Sequence, residues 1–431
     1  MQNKLTTIHY FAETRWFKKF NSQKKLRLFQ EKMLIQHMAF LKENSPYFAK
    51  FPAITNIEEF KRLPIMDKSV MMENFNAMNT LGLDKDQALK IAIKSEKSRD
   101  FTPTYNGVSV GLSSGTSGHR GLFLVSDKER SAWAGAVLGK YLPPGKPFGH
   151  RIAFFLRANN NLYESVNSRF VTFRYFDIYK DMAKNLKELA SYQPSIIVAP
   201  PSVLGVIADQ LETGELSIRP QKILSVAEVL NPLDELRFKK VFSQDIIFQA
   251  YQCTEGFLAH TCQQGSLHLN ENIVYIEKDF LDAKRFVPII TDFRRSSQPI
   301  IRYRLNDVLV LSKKHCSCGS AMTVIERIEG REDDIFLFKN QAGETVQVFS
   351  DMVVRCMLYV KNIKDYRVVQ TDYTKLVIHL DNLNPNTTQA IRREITKLAR
   401  KLSFKAPELE FVVYELDLSR KLKRIERQFS K

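Results

Sequence analysis

From about residue 150 onward, short apolar runs alternate with amphipathic stretches of helical length. "RIAFFL" and "RFVTFRYFDI" read as strands and "DMAKNLKELASY" as a helix. "SIIVAP" is again strand-like, "PSVLGVIADQLET" a helix opened by proline, "KILSVA" a strand, "NPLDELRFKKVF" a helix and "DIIFQAY" a strand. Strands that are apolar at successive positions are buried on both faces, and strands alternating with such helices predict βαβ units and a parallel sheet. Ligands of such sheets bind beyond the carboxyl ends of the strands. Upstream, residues 1–60 carry apolar positions at helical spacing, as in "LRLFQEKMLIQHMAFLKE", and predict a helical lead-in.

Between 266 and 312 the pattern turns to β with "SLHLNENIVYIE", "FVPIITDF" and "PIIRYRLNDVLVL". A polar, hinge-like run, "IEGREDD", occupies 328–334. Beyond it, strand-like "IFLF", "DYRVVQTD", "KLVIHLD" and "ELEFVVYEL" mix with the helical "TTQAIRREITKLARKL". The expected class is α/β: a large N-terminal domain of doubly wound sheets over 1–330, and a small, mobile α+β domain over 331–431.

The 431 residues suffice for two to four domains, and 44% hydrophobic with 26% charged residues is ordinary for a soluble globular chain. No apolar run approaches the ~20 residues of a membrane span. The N-terminus lacks the apolar stretch of a signal peptide, so a cytoplasmic protein is expected. The net charge of +17 leaves a nucleic-acid-binding reading open. Much of the excess, however, is spread over amphipathic segments such as "RWFKKFNSQKKLRLFQEK", and it also suits an enzyme of anionic substrates. Neither zinc-finger spacing nor the ring-stacking motif of the common RNA-binding fold occurs. Five cysteines, an odd number, argue against a disulfide framework.

"LSSGTSGHRG", residues 112–121, cannot fill a core. Ser114, Thr116 and Ser117, interleaved with Gly115 and Gly118, offer hydroxyls and glycine-freed amides that can form an anion nest. Neither GxGxxG nor the Lys-Ser/Thr of the Walker loop is present. The stretch is either a phosphate loop of another kind or a hairpin turn.

"SSGTSG" resembles the Ser/Thr/Gly-rich phosphate loop of the adenylate-forming enzymes, the superfamily of acyl-CoA synthetases and adenylation domains. Further matches follow in that family's order. "SVAEVL" (225–230) resembles the adenine loop and "YQCTEG" (251–256) the Tyr-Gly-x-Thr-Glu motif. "IIRYRLNDV" (300–308) resembles the arginine-rich strand ending in the ribose aspartate. "EGREDDI" (329–335) resembles the hinge, and "RKLKRIER" (420–427) the C-terminal lysine segment. The form is most similar to the phenylacetate–CoA ligase branch and its capsule-cluster relatives.

The resemblance implies ATP-dependent activation of a carboxylic acid to an acyl-adenylate, followed by transfer to a thiol of coenzyme A or an acyl carrier protein. It implies that Ser114, Gly115, Thr116, Ser117 and Gly118 hold the β- and γ-phosphates, and that Ala227 and Glu228 border the adenine. Tyr251 would stack on the base, Thr254 would donate to the α-phosphate and Glu255 would ligate Mg²⁺. Asp307 would accept from the ribose hydroxyls, Arg331 would reach the ribose or phosphate, Asp333 would mark the hinge, and Lys421 would bridge carboxylate and α-phosphate. The sequence departs from the family at "GHRG", which lacks the loop lysine, at Gln252, which replaces a glycine, and at Arg420, which replaces another. Related ligases carry a Cys-x-Cys-Gly knuckle, so "HTC" and "HCSCG" imply a closed structural zinc site of His260, Cys262, Cys316 and Cys318. The other option is free thiols in a reducing compartment. A non-catalytic, zinc-stapled protein of the same fold and a basic nucleic-acid binder stay open beside the enzyme.

Overall fold

The computed structural model describes residues 2–113, 121–145, 148–157, 171–360, 363–417 and 421–429. Helices dominate the first hundred residues. Local chemistry starts several of them: Asn56, Asp67 and Asp84 each accept backbone amides of the first turn. Asp127–Tyr141 begins with a full capping box of Ser126 and Glu129. This helix lies against Gln2–Ala12 at very close range. A Cβ on Gly135 would stand 2.5 Å from the Thr7 carbonyl oxygen, so only glycine permits the approach.

The predicted βαβ units are present. Val171–Asp177, His150–Leu156, Ile196–Ala199, Lys222–Val226 and Phe248–Cys253 lie side by side in parallel. Alternate residues of the first four of these strands face two separate cores. Ile152 and Phe154 join a core shared with the N-terminal helices, whereas Ala153 and Phe155 join one under the helices Met182–Tyr192, Pro201–Glu212 and Pro232–Val241. Both faces are covered, which explains the continuous apolar runs.

The parallel half does not end at its fifth strand. Gly256–Thr261 pairs antiparallel with Phe248–Cys253, and the ladder continues through Leu267–Leu269, Val324–Arg331, Asp307–Leu311, Arg285–Asp292 and Val274–Phe280. The result is one twelve-stranded sheet among the described residues. A separate three-stranded sheet (Thr104–Tyr105, Val108–Leu112, Leu122–Val125) carries the glycine-rich stretch between its last two strands.

Of the polar run 328–334, Ile328–Arg331 continues the strand Val324–Arg331, and the chain leaves the sheet only through the short 3₁₀ turn Glu332–Asp334. The segment from Phe336 builds its own core from Phe336, Phe338, Tyr366, Ile378 and Ile391. Its sheet runs Glu408–Val413, Lys375–Leu380, Tyr366–Asp372, Ile425–Arg427, backed by Ser350–Leu358 and Pro385–Lys401. This is the expected small C-terminal α+β domain. It docks on the large one mainly through polar contacts. Arg424 donates to both carboxylate oxygens of Asp234 at 2.8 Å, Asn231 donates to the Tyr366 hydroxyl at 2.9 Å, and Lys364 meets Asp209 at 2.5 Å. No helix among the described residues is long and apolar enough to cross a membrane.

Candidate active site

A cleft of about 1460 Å³ opens between the two domains. It lies where the parallel strands Lys222–Val226 and Phe248–Cys253 end, as the topology requires.

The first strand leads into Ala227, whose φ of +67° is left-handed. A residue with a Cβ holds that conformation only where its surroundings enforce it. The next residue shows what enforces it. The Glu228 carboxylate is fully buried and paired with Arg157 at 2.8 Å. One of its oxygens accepts the Ser202 amide at the start of Pro201–Glu212, at 3.1 Å, and the other the Leu422 amide of the C-terminal domain, at 3.0 Å. Glu228 therefore joins an interior helix to the segment that carries Lys421.

The second strand delivers Tyr251, whose hydroxyl donates to Asp307 Oδ2 at 2.6 Å. Asp307 and Arg331 face one another across adjacent antiparallel strands, with Arg331 Nε 3.6 Å from Asp307 Oδ1. Burial raises the Asp307 carboxyl above its usual range, opposed by the Tyr251 hydrogen bond and by the charges of Arg331 and Lys421. The Lys421 ammonium is lowered by burial first and by Arg331 next, with Asp307 and Glu228 acting the other way. Residues from Glu228 to Lys421, far apart in the chain, thus share one electrostatic field.

Thr254 Oγ1 donates to Glu255 Oε2 at 2.8 Å. The Thr254 carbonyl accepts from Arg295 at 2.9 Å, which anchors the turn. The Tyr303 hydroxyl bonds to Glu255, and burial, then Glu255, raise it well above a normal phenol. Ser114, Gly115, Thr116, Ser117 and Gly118 lie outside the described residues, as do Arg120 and Arg420. The neck of that stretch is described and pinched shut: the Ser113 amide donates to the Gly121 carbonyl, and the Gly121 amide to Ser113 Oγ, both at 2.7 Å. Lys68 stands over this neck, its Cδ and Cε 3.6 Å from where a Cβ on Gly121 would be. It lines the cleft together with Glu255, and nothing in the sequence around "MDKS" points to it. Arg157, Tyr303 and Arg295 were likewise not legible. Asp333 is exposed in the 3₁₀ turn and accepts from Asn306 at 3.0 Å.

The cysteine site needs one correction. Cys262, Cys316 and Cys318 come together, but the histidine with them is His268 rather than His260: these four offer ligand atoms within 4.8 Å of one another. The two histidines are direct partners across neighbouring strands, so both face the same side. His260 lies one strand further into the sheet and bonds Asn270 Oδ1 at 2.7 Å. His268 lies next to the thiols, with Nε2 3.4 Å from Cys318 Sγ, while Cys262 Sγ and Cys316 Sγ are 3.6 Å apart. Tetrahedral zinc with 2.3 Å bonds to sulfur has edges of ~3.8 Å, so the set fits. His268 Nδ1 meets the Met322 carbonyl at 3.2 Å, the orientation a ligating imidazole requires.

No family model matches the chain. Protein CapK of Staphylococcus aureus is 26% identical over 226 residues, 51% of this chain, and the match spans about half (48%) of that relative's length. Among solved structures, 2-hydroxyisobutyryl-CoA ligase in the postadenylation state with 2-HIB-AMP aligns with a TM-score of 0.71 at 15% identity, over 96% of this chain and 92% of that one. The same ligase in its thioesterification state, with coenzyme A, gives 0.58 at 15% identity, over 97% and 94%. The amide bond synthetase McbA from Marinactinospora thermotolerans gives 0.53 at 13% identity, over 71% of this chain and 65% of that one. The chain has the fold of the adenylate-forming ligases, the class to which its six motifs pointed.

Proposed function

We propose that this protein activates a carboxylic acid with ATP and passes the acyl group to a thiol, that of coenzyme A or of a carrier-protein pantetheine arm. The observation that carries the reading is the convergence of Asp307, Arg331, Glu255 and Lys421 on one cleft at the strand ends. In the reaction a carboxylate oxygen attacks the α-phosphorus, the bond from that phosphorus to the bridging oxygen breaks, and pyrophosphate leaves. Both reactants are anions, so preorganised cations and donors lower the barrier. Asp307, held by Tyr251 and Arg331, accepts the ribose hydroxyls. Thr254 donates to the α-phosphate. Lys421 sits between the acid and that phosphate. Glu255 would hold Mg²⁺, a hard cation that would neutralise the triphosphate. The stretch 114–118 is assigned to the β- and γ-phosphates.

The small domain acts as a lid turning at Glu332–Asp334, with the boundary there and Asp333 at the pivot. The better match to the postadenylation state than to the thioesterification state of one ligase, 0.71 against 0.58, supports a lid docked for the first half-reaction. Cys262, His268, Cys316 and Cys318 would hold a closed, structural zinc ion.

ATP–pyrophosphate exchange against a panel of carboxylic acids tests the activity. Acid-dependent exchange is expected. Its absence with every acid, despite ATP binding, would favour a non-catalytic protein of this fold.

A further inference from the structure

The carbon skeleton of the acid needs a wall to lie against, and one buried group on that wall has no task in nucleotide binding. Asp292 ends the strand Arg285–Asp292 and is 4% exposed. It lines the cleft with Trp133, Ala136, Phe257 and Ile273. Its Oδ1 accepts the Arg294 amide at 2.8 Å, and among the described residues its carboxylate takes no other hydrogen bond. Oδ2 points at Gly256, where a Cβ would come within 3.1 Å of it. Glycine at 256 thus keeps open the space in front of this oxygen.

The neighbouring guanidiniums of Arg294 and Arg295 act on Asp292 through their charge, but among the described residues neither side chain hydrogen-bonds it. Arg295 gives its Nη atoms to the carbonyls of Thr254 and Leu124, and Arg294 gives Nη2 to Glu13. Glu129, a second buried carboxylate on the same wall, is fully used. One oxygen accepts the amides of Ser296 and Ser297, at 2.6 and 2.7 Å, and the other accepts from Ser126. A buried carboxylate left half-satisfied is costly, and the cost is removed when a ligand brings a donor. Consistent with this, burial pushes the Asp292 carboxyl up to about 6.

We infer that Asp292 reads a hydrogen-bond donor on the acid, so that the substrate class is a carboxylic acid bearing a hydroxyl or amino group on a short carbon skeleton. Trp133, Ala136, Phe257 and Ile273 hold the skeleton, and Asp292 accepts from the substituent. This rests on reading the cleft as a carboxylate-activating site.

The test is pyrophosphate exchange with matched sets of acids, each unsubstituted, hydroxylated or aminated at one carbon. It is run on the wild type, Asp292→Ala and Asp292→Asn, with thermal melts and ATP binding as folding controls. The wild type should prefer a donor-bearing acid over its unsubstituted analogue by ~10⁴-fold in kcat/KM, the scale on which a site built around a polar contact rejects an analogue lacking it. Asp292→Ala should lose that preference through KM while retaining turnover of the unsubstituted acid. Asp292→Asn should keep a hydroxylated substrate and lose an aminated one, which separates the two sources of the donor. If the alanine variant does not fold, the asparagine variant and the wild-type panel still decide. Equal use of substituted and unsubstituted acids by the wild type overturns the inference and leaves the activity standing. So does an equal loss for every acid in the variants. No exchange with any acid overturns both.

Discussion

On the proposed reading, Glu255 is the residue at which charge chemistry is most demanding, because it would meet a hard cation in a cleft that would also hold a triphosphate. Its carboxylate is held by the Thr254 and Tyr303 hydroxyls. Glu255→Gln keeps that geometry and removes the charge, so it should leave the melting temperature nearly unchanged and slow Mg²⁺-dependent adenylation by ~10²-fold or more. Exchange at the wild-type rate over a Mg²⁺ titration would remove Glu255 from the role. His37 shows a residue-scale effect of a different kind. It is 7% exposed, Nε2 has no partner among the described residues, and burial lowers its imidazole to about 4, while Glu129 acts the other way. The unfolded chain binds this proton near pH 6.5 and the folded chain only near 4, so stability present above pH 6.5 is lost as pH falls towards 4. Between pH 7.5 and 5 the loss from this group is ~2 kcal/mol. Urea unfolding at the two pH values should show the His37→Met variant less acid-sensitive by that amount. An unchanged difference would mean His37 titrates normally.

At the scale of elements, the cysteine group ties together parts that are distant along the chain. Cys262 follows the strand Gly256–Thr261, His268 sits in Leu267–Leu269, and Cys316 and Cys318 come from the connection before Val324–Arg331. The same connection reaches the N-terminal region, where the Ala321 amide donates to the Phe20 carbonyl at 2.8 Å and Gln23 donates to the Ala321 carbonyl. A metal here would staple one end of the large sheet to the helical lead-in, and binding free energy at such a site is folding free energy. Untagged protein should contain about one zinc ion per chain by elemental analysis. His268→Ala should lose the metal and melt at lower temperature, whereas His260→Ala should keep it. Equal zinc content in the two variants would sink the assignment, and so would a metal-free wild type.

For the whole molecule, the contacts that hold the small C-terminal domain, the proposed lid, are decisive. The docked surface is built largely from ion pairs and hydrogen bonds, among them Arg424 with Asp234 and Leu422 with Glu228, beside Leu233 packed on the small domain's core. Lys423 pairs with the buried Asp334 at 3.1 Å, which ties it to the hinge turn rather than to the large domain. An interface of this polar character can open at modest cost. Lys421→Ala should slow adenylation by ~10²–10³-fold, the usual effect of losing one preorganised donor. It should spare thioester formation from a pre-made adenylate, and the exposed Lys401→Ala should spare both. Asp234→Ala leaves Arg424 its Asp365 partner at 3.0 Å and removes one of the links to the large domain. That variant should raise the population of open molecules in small-angle scattering and slow the first half-reaction. Equal damage to both half-reactions by Lys421→Ala would mean that the tail acts only as a basic surface.

The sequence by itself determined what depends on neighbours in the chain. Two-faced apolar strands and 3.6-residue helices were legible as βαβ units because periodicity and capping are local. The motifs from "SSGTSG" to "RKLKRIER" were legible because each is contiguous. What joins them was not. That the parallel and antiparallel halves form one sheet depends on the pairing of Phe248–Cys253 with Gly256–Thr261, and "IEGR" reads as polar hinge although pairing with Asp307–Leu311 makes it strand. Choosing His268 over His260 required the cross-strand register, since both imidazoles face the same side. Lys68 over Gly121, Arg157 on Glu228 and the open oxygen of Asp292 each join residues far apart in sequence or depend on what surrounds them in space. Local preference says how a segment is shaped. Only packing and register decide which side chains meet, because a strand's pairing partner and a lid's docking surface carry no signature within the segment itself.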